Sequence, residues 1–587
     1  MRRIQLALAG LLALGGCGGT PTALPPPPPV AAITSISPSF LIAGSPAQAI
    51  TVMGTGFTSA SQVLWNGSPR PTLLNTALNS TLYLTANLSA SDIATLGTAK
   101  IAVTTAGATS SAVTFYIAPA AQATAGPAVL VTAALDGGPS DGESFFAASL
   151  SPTARYVAFQ STAADLVPGP ASGFADIYER DTCIGVPAGC VPTTTRVSVA
   201  NDGTLPNGNS RSPSVSADGR YVVFDSSATN LVAGYQARAD LYPDVYVRDT
   251  CTGAASGCSP VTAIASVRAD GSEADEGGAN PLISADGRII LFDSSATDLL
   301  PNEPPGVSKS ASNVFYWDTC NGAPTGCTKA MSIASLSSGG GVGASGAGLQ
   351  AISGDDRYVA FESWDTSLVG SGPNQNMPNI YIRDTCFGAG AGCTPLLQLA
   401  TLTNDGSRIN GNLSFDTVPT MSASGRYVPF SGFATNIVAG VGGTLSSVFL
   451  RDTCIAAPSG CTPSTILVNP TFDGSPVNGS SGGEFISPSG RFIAFDSLAN
   501  NLVPGDTEPA NAFKFIYLRD TCNGGPAGCV PSTICVSVGP LESPALGLNS
   551  KPSISADDHW VAFLTNAQNL ATPGNGHTQI VLAKSGY

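Results

Sequence analysis

Histidine is almost missing from this sequence: His559 and His577 are the only two in 587 residues. A three-histidine metal site is therefore excluded, and a serine–histidine–aspartate triad would have to use one of the two. Charge is also scarce. Asp, Glu, Lys and Arg make up 11% of the chain, where about 25% is usual. The 25 cations are outnumbered by 40 anions, for a formal net charge of −15. Lacking a basic footprint, the chain is not a nucleic-acid binder. What is abundant is glycine (66) and proline (45), together about 19% against a usual 12% or so. That balance fits a turn-rich, extracytoplasmic β protein and argues against a helical bundle. The length allows several domains, each with its own core.

Arg2 and Arg3 precede an apolar run from Ile4 to Leu14. The run falls short of the roughly 20 residues a membrane-spanning helix needs, and reads as an export signal. It ends in Leu14-Gly15-Gly16-Cys17, which resembles the lipobox of bacterial lipoproteins. The resemblance implies that residues 1–16 are a signal peptide and that Cys17 becomes the acylated first residue. Gly18 stands where inner-membrane retention in that family usually shows Asp, which favours the outer membrane. The expected location is the cell envelope, lipid-anchored, periplasmic or surface-facing. Residues 17–31 then form the anchor and a tether, stiffened by Pro25 to Pro29 in polyproline II.

From 32 to 118 short alternating apolar segments follow one another, with Asn66-Gly67 as a hairpin signal between two of them. Strands at this spacing suggest a β-sandwich. The ordered run Ile33-Thr-Ser-Ile-Ser-Pro38, Gly44, Ile50-Thr-Val-Met-Gly54-Thr-Gly56-Phe57 and Val63-Leu-Trp65-Asn66-Gly67 resembles the IPT/TIG family of immunoglobulin-like domains. Such domains often serve as spacers.

Residues 125–587 are internally repeated. One segment recurs seven times, for example as Ser216-Ala-Asp-Gly-Arg220-Tyr-Val-Val-Phe224 and Ser487-Pro-Ser-Gly-Arg491-Phe-Ile-Ala-Phe495. Each Asp-Gly-like turn joins a strand A to a strand B. A strand C follows, as at Asp244 to Asp249, and then a strand D, as at Ala263 to Val267. Four strands repeated radially describe a propeller blade. The pattern resembles the WD40-like repeats of TolB and related periplasmic propellers. The expected fold is all-β: an N-terminal sandwich and a seven-bladed propeller. The last unit stops at Tyr587 without a strand D, while an orphan strand, Ala128 to Gly137, precedes the first. This orphan is expected to complete the seventh blade and so remove two free edges.

Fourteen cysteines divide three ways. Cys17 is the anchor. Twelve form pairs of constant spacing: Cys183/Cys190, Cys251/Cys258, Cys320/Cys327, Cys386/Cys393, Cys454/Cys461 and Cys522/Cys529. The six intervening residues exceed zinc-ligand spacing, and pairs in separate blades cannot meet, so six local disulfides are expected. Cys535 is left over, in the apolar run Thr533 to Val536, as a buried small side chain.

Arg220 opens strand B and Asp249 ends strand C, and the pairing recurs in six repeats. A position repeated in every unit builds the unit, so these are expected to be cross-strand ion pairs. Ser-Ala-Asp-Gly lacks the Asp-box spacing of sialidases, and the acidic loop Asp270 to Glu276 lacks regular calcium-ligand spacing. No metal, cofactor or catalytic residue is indicated. Recognition is expected on the face carrying the varied B–C and D–A loops, with Tyr235, Tyr242, Asn374, Asn376 and Asp506 as candidate ligand contacts. The leading expectation is a non-enzymatic, membrane-anchored scaffold that binds a protein or glycan partner. The alternatives are a structural envelope protein without soluble ligand, and a carbohydrate-active hydrolase or lyase, which would need convergent carboxylates that no motif marks.

Overall fold

The computed structural model describes residues 31–587 apart from 38–39, 77–81, 96, 119–127, 188, 236–242, 324, 366, 370–376, 415–417, 505–511, 539–544 and 571–574. The Cys17 anchor, the tether and the signal segment lie outside the described residues. The chain divides into two compact units, one containing residues 46–92 and 99–115, the other containing 116–587.

In the first unit, strands Ala32–Ser37, Gln48–Thr55, Leu82–Leu88 and Thr72–Thr76 form one antiparallel sheet in that order. Strand Gln62–Trp65 turns back onto Ser68–Pro69 and also pairs with residues 101–104. Asn66 and Gly67 both have positive φ, 49° and 79°, the conformation that a two-residue hairpin turn of this sequence demands. Trp65 packs edge-on against Phe115 with centroids 5.5 Å apart.

The second unit is built from seven consecutive sheets in a propeller-like repeat, here called blades 1 to 7. Blade 2 is representative: strands Ser210–Val215 (A), Tyr221–Ser226 (B), Asp244–Asp249 (C) and Val261–Ile264 (D) are hydrogen-bonded in that order. Among the described residues blade 5 has strands B to D only. The alternation is not polar-out. Strand B reads almost wholly buried, as at Val222, Val223 and Phe224, because each sheet is covered on both faces by its neighbours. The apolar clusters accordingly span adjacent blades. Ala158 and Ile177 of blade 1 pack with Val222, Phe224 and Tyr246 of blade 2.

The A strands, and in blade 5 the segment at that place, are stitched to one another. Val215 N–H donates to Ser149 Oγ at 3.0 Å, Ile283 N–H to Ser214 Oγ at 3.2 Å, and Ile486 N–H to Thr420 Oγ1 at 3.3 Å. The ring is joined where Ser553 Oγ of blade 7 donates to the Ala148 carbonyl of blade 1 at 2.8 Å. The orphan strand does complete the seventh sheet. Val129 and Leu130 pair antiparallel with Leu582 and Val581, and Val131 N–H continues the ladder to the Ile580 carbonyl at 2.9 Å. It is shorter than the sequence suggests, since the chain turns at Asp136-Gly137 with Ala134 N–H bonded back to Gly138 O.

Candidate functional site

The repeated charges form a constant frame. Arg220 Nε and Nη2 make a forked pair with Asp249 at 3.0 and 2.8 Å. The same fork recurs as Arg155–Asp181, Arg288–Asp318, Arg357–Asp384, Arg426–Asp452 and Arg491–Asp520. The aspartate has a second duty: Asp249 Oδ1 also accepts the Cys251 N–H at 2.9 Å. That bond holds Cys251 at φ 62°, and the first cysteine of every pair has a similar left-handed φ. From there each chain closes onto its partner seven residues on. The bridges are Cys183–Cys190, Cys251–Cys258, Cys320–Cys327, Cys386–Cys393, Cys454–Cys461 and Cys522–Cys529, with Cα atoms 5.7–5.8 Å apart.

All six expected bridges are present, and they do more than close their loops, as Cys529 shows. Its sulfur lies 3.7 Å from Arg491 Nη2 and 3.7 Å from Asp520 Oδ2, so the bridge packs onto the ion pair of its blade. Bonded to Cys522, Cys529 has no thiol proton to give the carboxylate. The contact to Asp520 is therefore packing, and the guanidinium is the donor to that sulfur. Cys327, Cys393 and Cys461 meet Arg288, Arg357 and Arg426 in the same way at 3.5–3.7 Å. The physical reason is the left-handed first cysteine, which folds the loop back over the end of strand C. Asp–Cys–Cys trios such as Asp249, Cys251 and Cys258 gather potential metal-ligand atoms within 4.8 Å, but the two sulfurs are bonded to each other. Six bridges place this chain in an oxidising, exported environment. Cys535 is buried, forms no disulfide among the described residues, and lies 3.6 Å from Ser537 Oγ.

A second repeated position behaves differently. The residue directly after the strand-B phenylalanine or its equivalent is Gln160, Asp225, Asp293, Glu362, Ser431, Asp496 and Leu564 in turn. It lies opposite a β-bulge in strand A. The ladder register shifts between Arg211/Ser214, Ala279/Leu282, Gly348/Gln350 and Gly482/Phe485. At each bulge one residue has positive φ: Ser212, Asn280, Leu349 and Gly483, at 47–59°. Bulges of this kind re-aim side chains and recur beside active sites. Here each bulge brings the A strand of one blade over the polar position of the blade before it.

Four of the seven positions are acidic: Asp225, Asp293, Glu362 and Asp496. The Asn280 side chain donates to Asp293 at 3.0 Å, and the Asn280 backbone lies against Asp225. Arg211 approaches Asp225 at 3.8 Å. Burial pushes Asp293 up to about 7, with the neighbouring Asp225 charge adding to it and the Asn280 bond opposing. Burial alone pushes Glu362 up to about 7. In blade 6 Glu484 sits on the bulge itself, 3% exposed. Burial pushes its carboxyl up to about 7, with the Ser431 hydroxyl of blade 5 and the Asp496 carboxylate as its polar neighbours. Asp496 is paired with Lys514 at 2.9 Å. Gly483 is required beside it, because a Cβ there would lie 2.7 Å from Asp496 Oδ2. Two neighbouring carboxyl groups, one pushed up by burial and one paired with a lysine, are the kind of pairing that acid–base chemistry uses.

Of the candidate contacts expected on the varied face, Tyr235 is half-buried, with its hydroxyl 3.4 Å from Asp244 Oδ1. Tyr242, Asn374, Asn376 and Asp506 lie outside the described residues. The acids at the repeated position were missed because the recurring segment was read only as far as its phenylalanine. The available signal was a position that recurs in register yet changes chemistry from blade to blade. Neither histidine offers a base to a serine among the described residues. His559 Nδ1 faces the Tyr587 carbonyl at 3.2 Å, and His577 Nδ1 meets Glu143 at 2.9 Å.

No family model matches this chain, and neither does any curated protein. Solved structures do. A puromycin-hydrolyzing peptidase of Mycobacterium tuberculosis is similar at 11% identity over 78% of this chain and 62% of that one, with a TM-score of 0.33. The alpha-L-arabinofuranosidase from Lactobacillus brevis is similar at 12% over 56% and 90%, TM-score 0.24. The hemagglutinin-neuraminidase of parainfluenza virus 5 is similar at 8% over 79% and 95%, TM-score 0.28. The likeness is confined to architecture. The expected absence of enzymatic activity is nevertheless overturned at this point. Solved structures similar to this chain include those of a peptidase, an arabinofuranosidase and a neuraminidase, and Asp293, Glu362 and Glu484 are buried carboxyls with raised proton affinity that the expectation did not include.

Proposed function

We propose that this chain is an exported, carbohydrate-active hydrolase whose acid–base groups lie on the inner wall of a seven-bladed propeller. The observation that carries the reading is the Glu484–Asp496–Lys514 cluster, with Asp293 and Glu362 held near neutrality at equivalent places. In this mechanism the protonated Glu484 carboxyl donates to the leaving glycosidic oxygen. The Asp496 carboxylate, paired with Lys514, takes the proton of the attacking water. The exposed rings of Phe145 and Phe146 on the blade 1 bulge give sugar faces a flat apolar surface. The scarcity of histidine supports carboxyl chemistry over a serine nucleophile.

The same proposal places the chain on a membrane through acylated Cys17. The Pro25–Pro29 tether and an immunoglobulin-like spacer of IPT/TIG type over 32–118 hold the propeller away from the lipid. Fatty-acid labelling lost in Cys17→Ala tests the anchor.

Turnover is tested on the full chain with panels of neutral, acidic and amino-sugar polysaccharides. Glu484→Gln is expected to lower turnover by at least about 100-fold with an unchanged circular dichroism spectrum. Glu179→Gln, far from the inner wall, leaves it intact. No cleavage of any substrate class, or full turnover in Glu484→Gln, overturns the reading.

A further inference from the structure

A cleft of about 320 Å³ opens at the outer seam between blades 4 and 5. Strand D of blade 4 (Leu396–Leu399) supplies Gln398 and Leu399, and the turn after it supplies Arg408. Blade 5 supplies Arg451 from strand C, with Thr453 and Pro463 beyond it. None of the described lining residues is acidic, and two are guanidinium groups. That is unexpected in a chain of net charge −15.

One of the two arginines belongs to the frame. Arg451 Nη1 donates to the Thr403 carbonyl of blade 4 at 3.2 Å and to Thr465 Oγ1 at 3.1 Å. Arg248 makes the equivalent bonds to Val199 O and Thr262 Oγ1 at the seam between blades 1 and 2. Arg383 reaches Leu336 O between blades 3 and 4. A seam arginine is thus a device that clasps one blade to the turn of the blade before it.

Arg408 is different. It stands in the turn bridge with Leu402, and the same bridge position holds Pro139, Glu273 and Val342 in other turns. The matching residues after Asp202-Gly203 and Asp473-Gly474 are Leu205 and Pro476. Among the described residues, this is the seam at which a turn arginine lines the same cleft as the seam arginine. Arg408 Nη2 donates to the Val369 carbonyl at 3.1 Å, which fixes the guanidinium at the cleft wall. Asp405, the acid nearest in sequence, is engaged within its own turn by Thr403 Oγ1 and the Ser407 N–H. Arg451 is 6% exposed, and burial lowers its proton affinity. A desolvated cation of this kind gains from an oxyanion placed against it.

We infer that the blade 4–5 seam cleft binds a small oxyanion, held between the Arg408 and Arg451 guanidinium groups. Two guanidinium groups on one cleft suit a carboxylate or a phosphate, with Gln398 donating at the edge and Leu399 and Pro463 covering a short apolar body. The site is separate from the inner wall and stands whether or not the chain hydrolyses glycans.

Calorimetric titration of the full chain with inorganic phosphate and, separately, with glucuronate tests this. Saturable one-to-one binding of either is expected, weakened at least about tenfold in Arg408→Gln and by raised salt. The preferred arm identifies the source of the oxyanion. The Val369 and Tyr381 partners of Arg408 belong to its own blade, so the thermal midpoint of Arg408→Gln should stay close to that of the parent. Should that variant unfold early, Gln398→Ala at the cleft edge serves in its place, with weakened binding expected. Absence of saturable binding by the parent, or undiminished binding in folded cleft variants, overturns the inference.

Discussion

Glu484 carries an energetic signature that can be measured without knowing a substrate. Its ordinary value is 4.5 and the folded chain holds it at about 7. Between those values the folded chain retains a proton that the unfolded chain has released. Stability therefore falls as pH rises through that window, by roughly 3 kcal/mol for this one group, and levels off above it. Glu484→Gln should remove that share of the slope in urea unfolding compared at pH 5 and pH 7.5; an unaltered slope would mean the carboxyl is not buried as described. Single residues of this kind were only partly legible in the sequence. The Arg220–Asp249 fork could be read because both ends of a cross-strand pair repeat together. Asp225, Asp293 and Asp496 could not, because their meaning depends on a bulge in strand A, and no turn residue or periodicity announces it. Asn280 and Leu349 adopt positive φ there without being glycine.

At the level of strands and turns, two features make opposing predictions. Glu179 in strand C of blade 1 pairs with Ala158 at the place held by Val247, Ile382, Leu450 and Leu518 in other blades. Burial pushes it up to about 8, with Asp181 and Asp218 adding to the effect. Glu179→Leu should raise the melting midpoint at pH 7, since a buried polar group is replaced by the apolar residue its siblings use; about 1–3 kcal/mol is at stake. The C–D loops run the other way. Converting Cys251 and Cys258 to serine releases a loop of eight residues, counted from the sequence separation of 7. It should cost about 2.5 kcal/mol if chain entropy dominates. Urea midpoints under oxidising conditions check both. The strand order within each blade and all six bridges were readable from spacing alone, because both are local. The packing of Cys529 onto Arg491 was not, since spacing says which sulfurs meet and nothing of what they lie against. The seam contacts were equally hidden. Asn201 reaching Thr262 across 61 residues is such a contact, with its side chain accepting that N–H at 2.6 Å.

The seventh sheet is completed at a joint between distant parts of the chain. Thr132 Oγ1 bonds Gln579 at 2.7 Å and receives the Ile580 N–H at 3.1 Å, and Glu143 takes the Thr578 N–H at 2.7 Å. Deleting residues 128–137 exposes the edge of strand Gln579–Lys584. A lower and broader calorimetric transition is expected, and addition of the excised peptide should raise it again. A melt identical to the parent would show that the joint bears little. This closure was foreseeable from two facts at opposite ends of the array, a unit short of a strand and a strand without a unit.

The joint also sets a timetable. A polypeptide delivered amino end first presents Val129 to Thr132 more than 440 residues before Gln579 follows. Throughout that interval the waiting segment has no ladder to enter, and every partly emerged intermediate carries two raw borders. Shielding them is a task for whatever accompanies the chain through its export, and a ribosome stalled near the end of this message would release a product that has six units of architecture and no means of finishing the seventh.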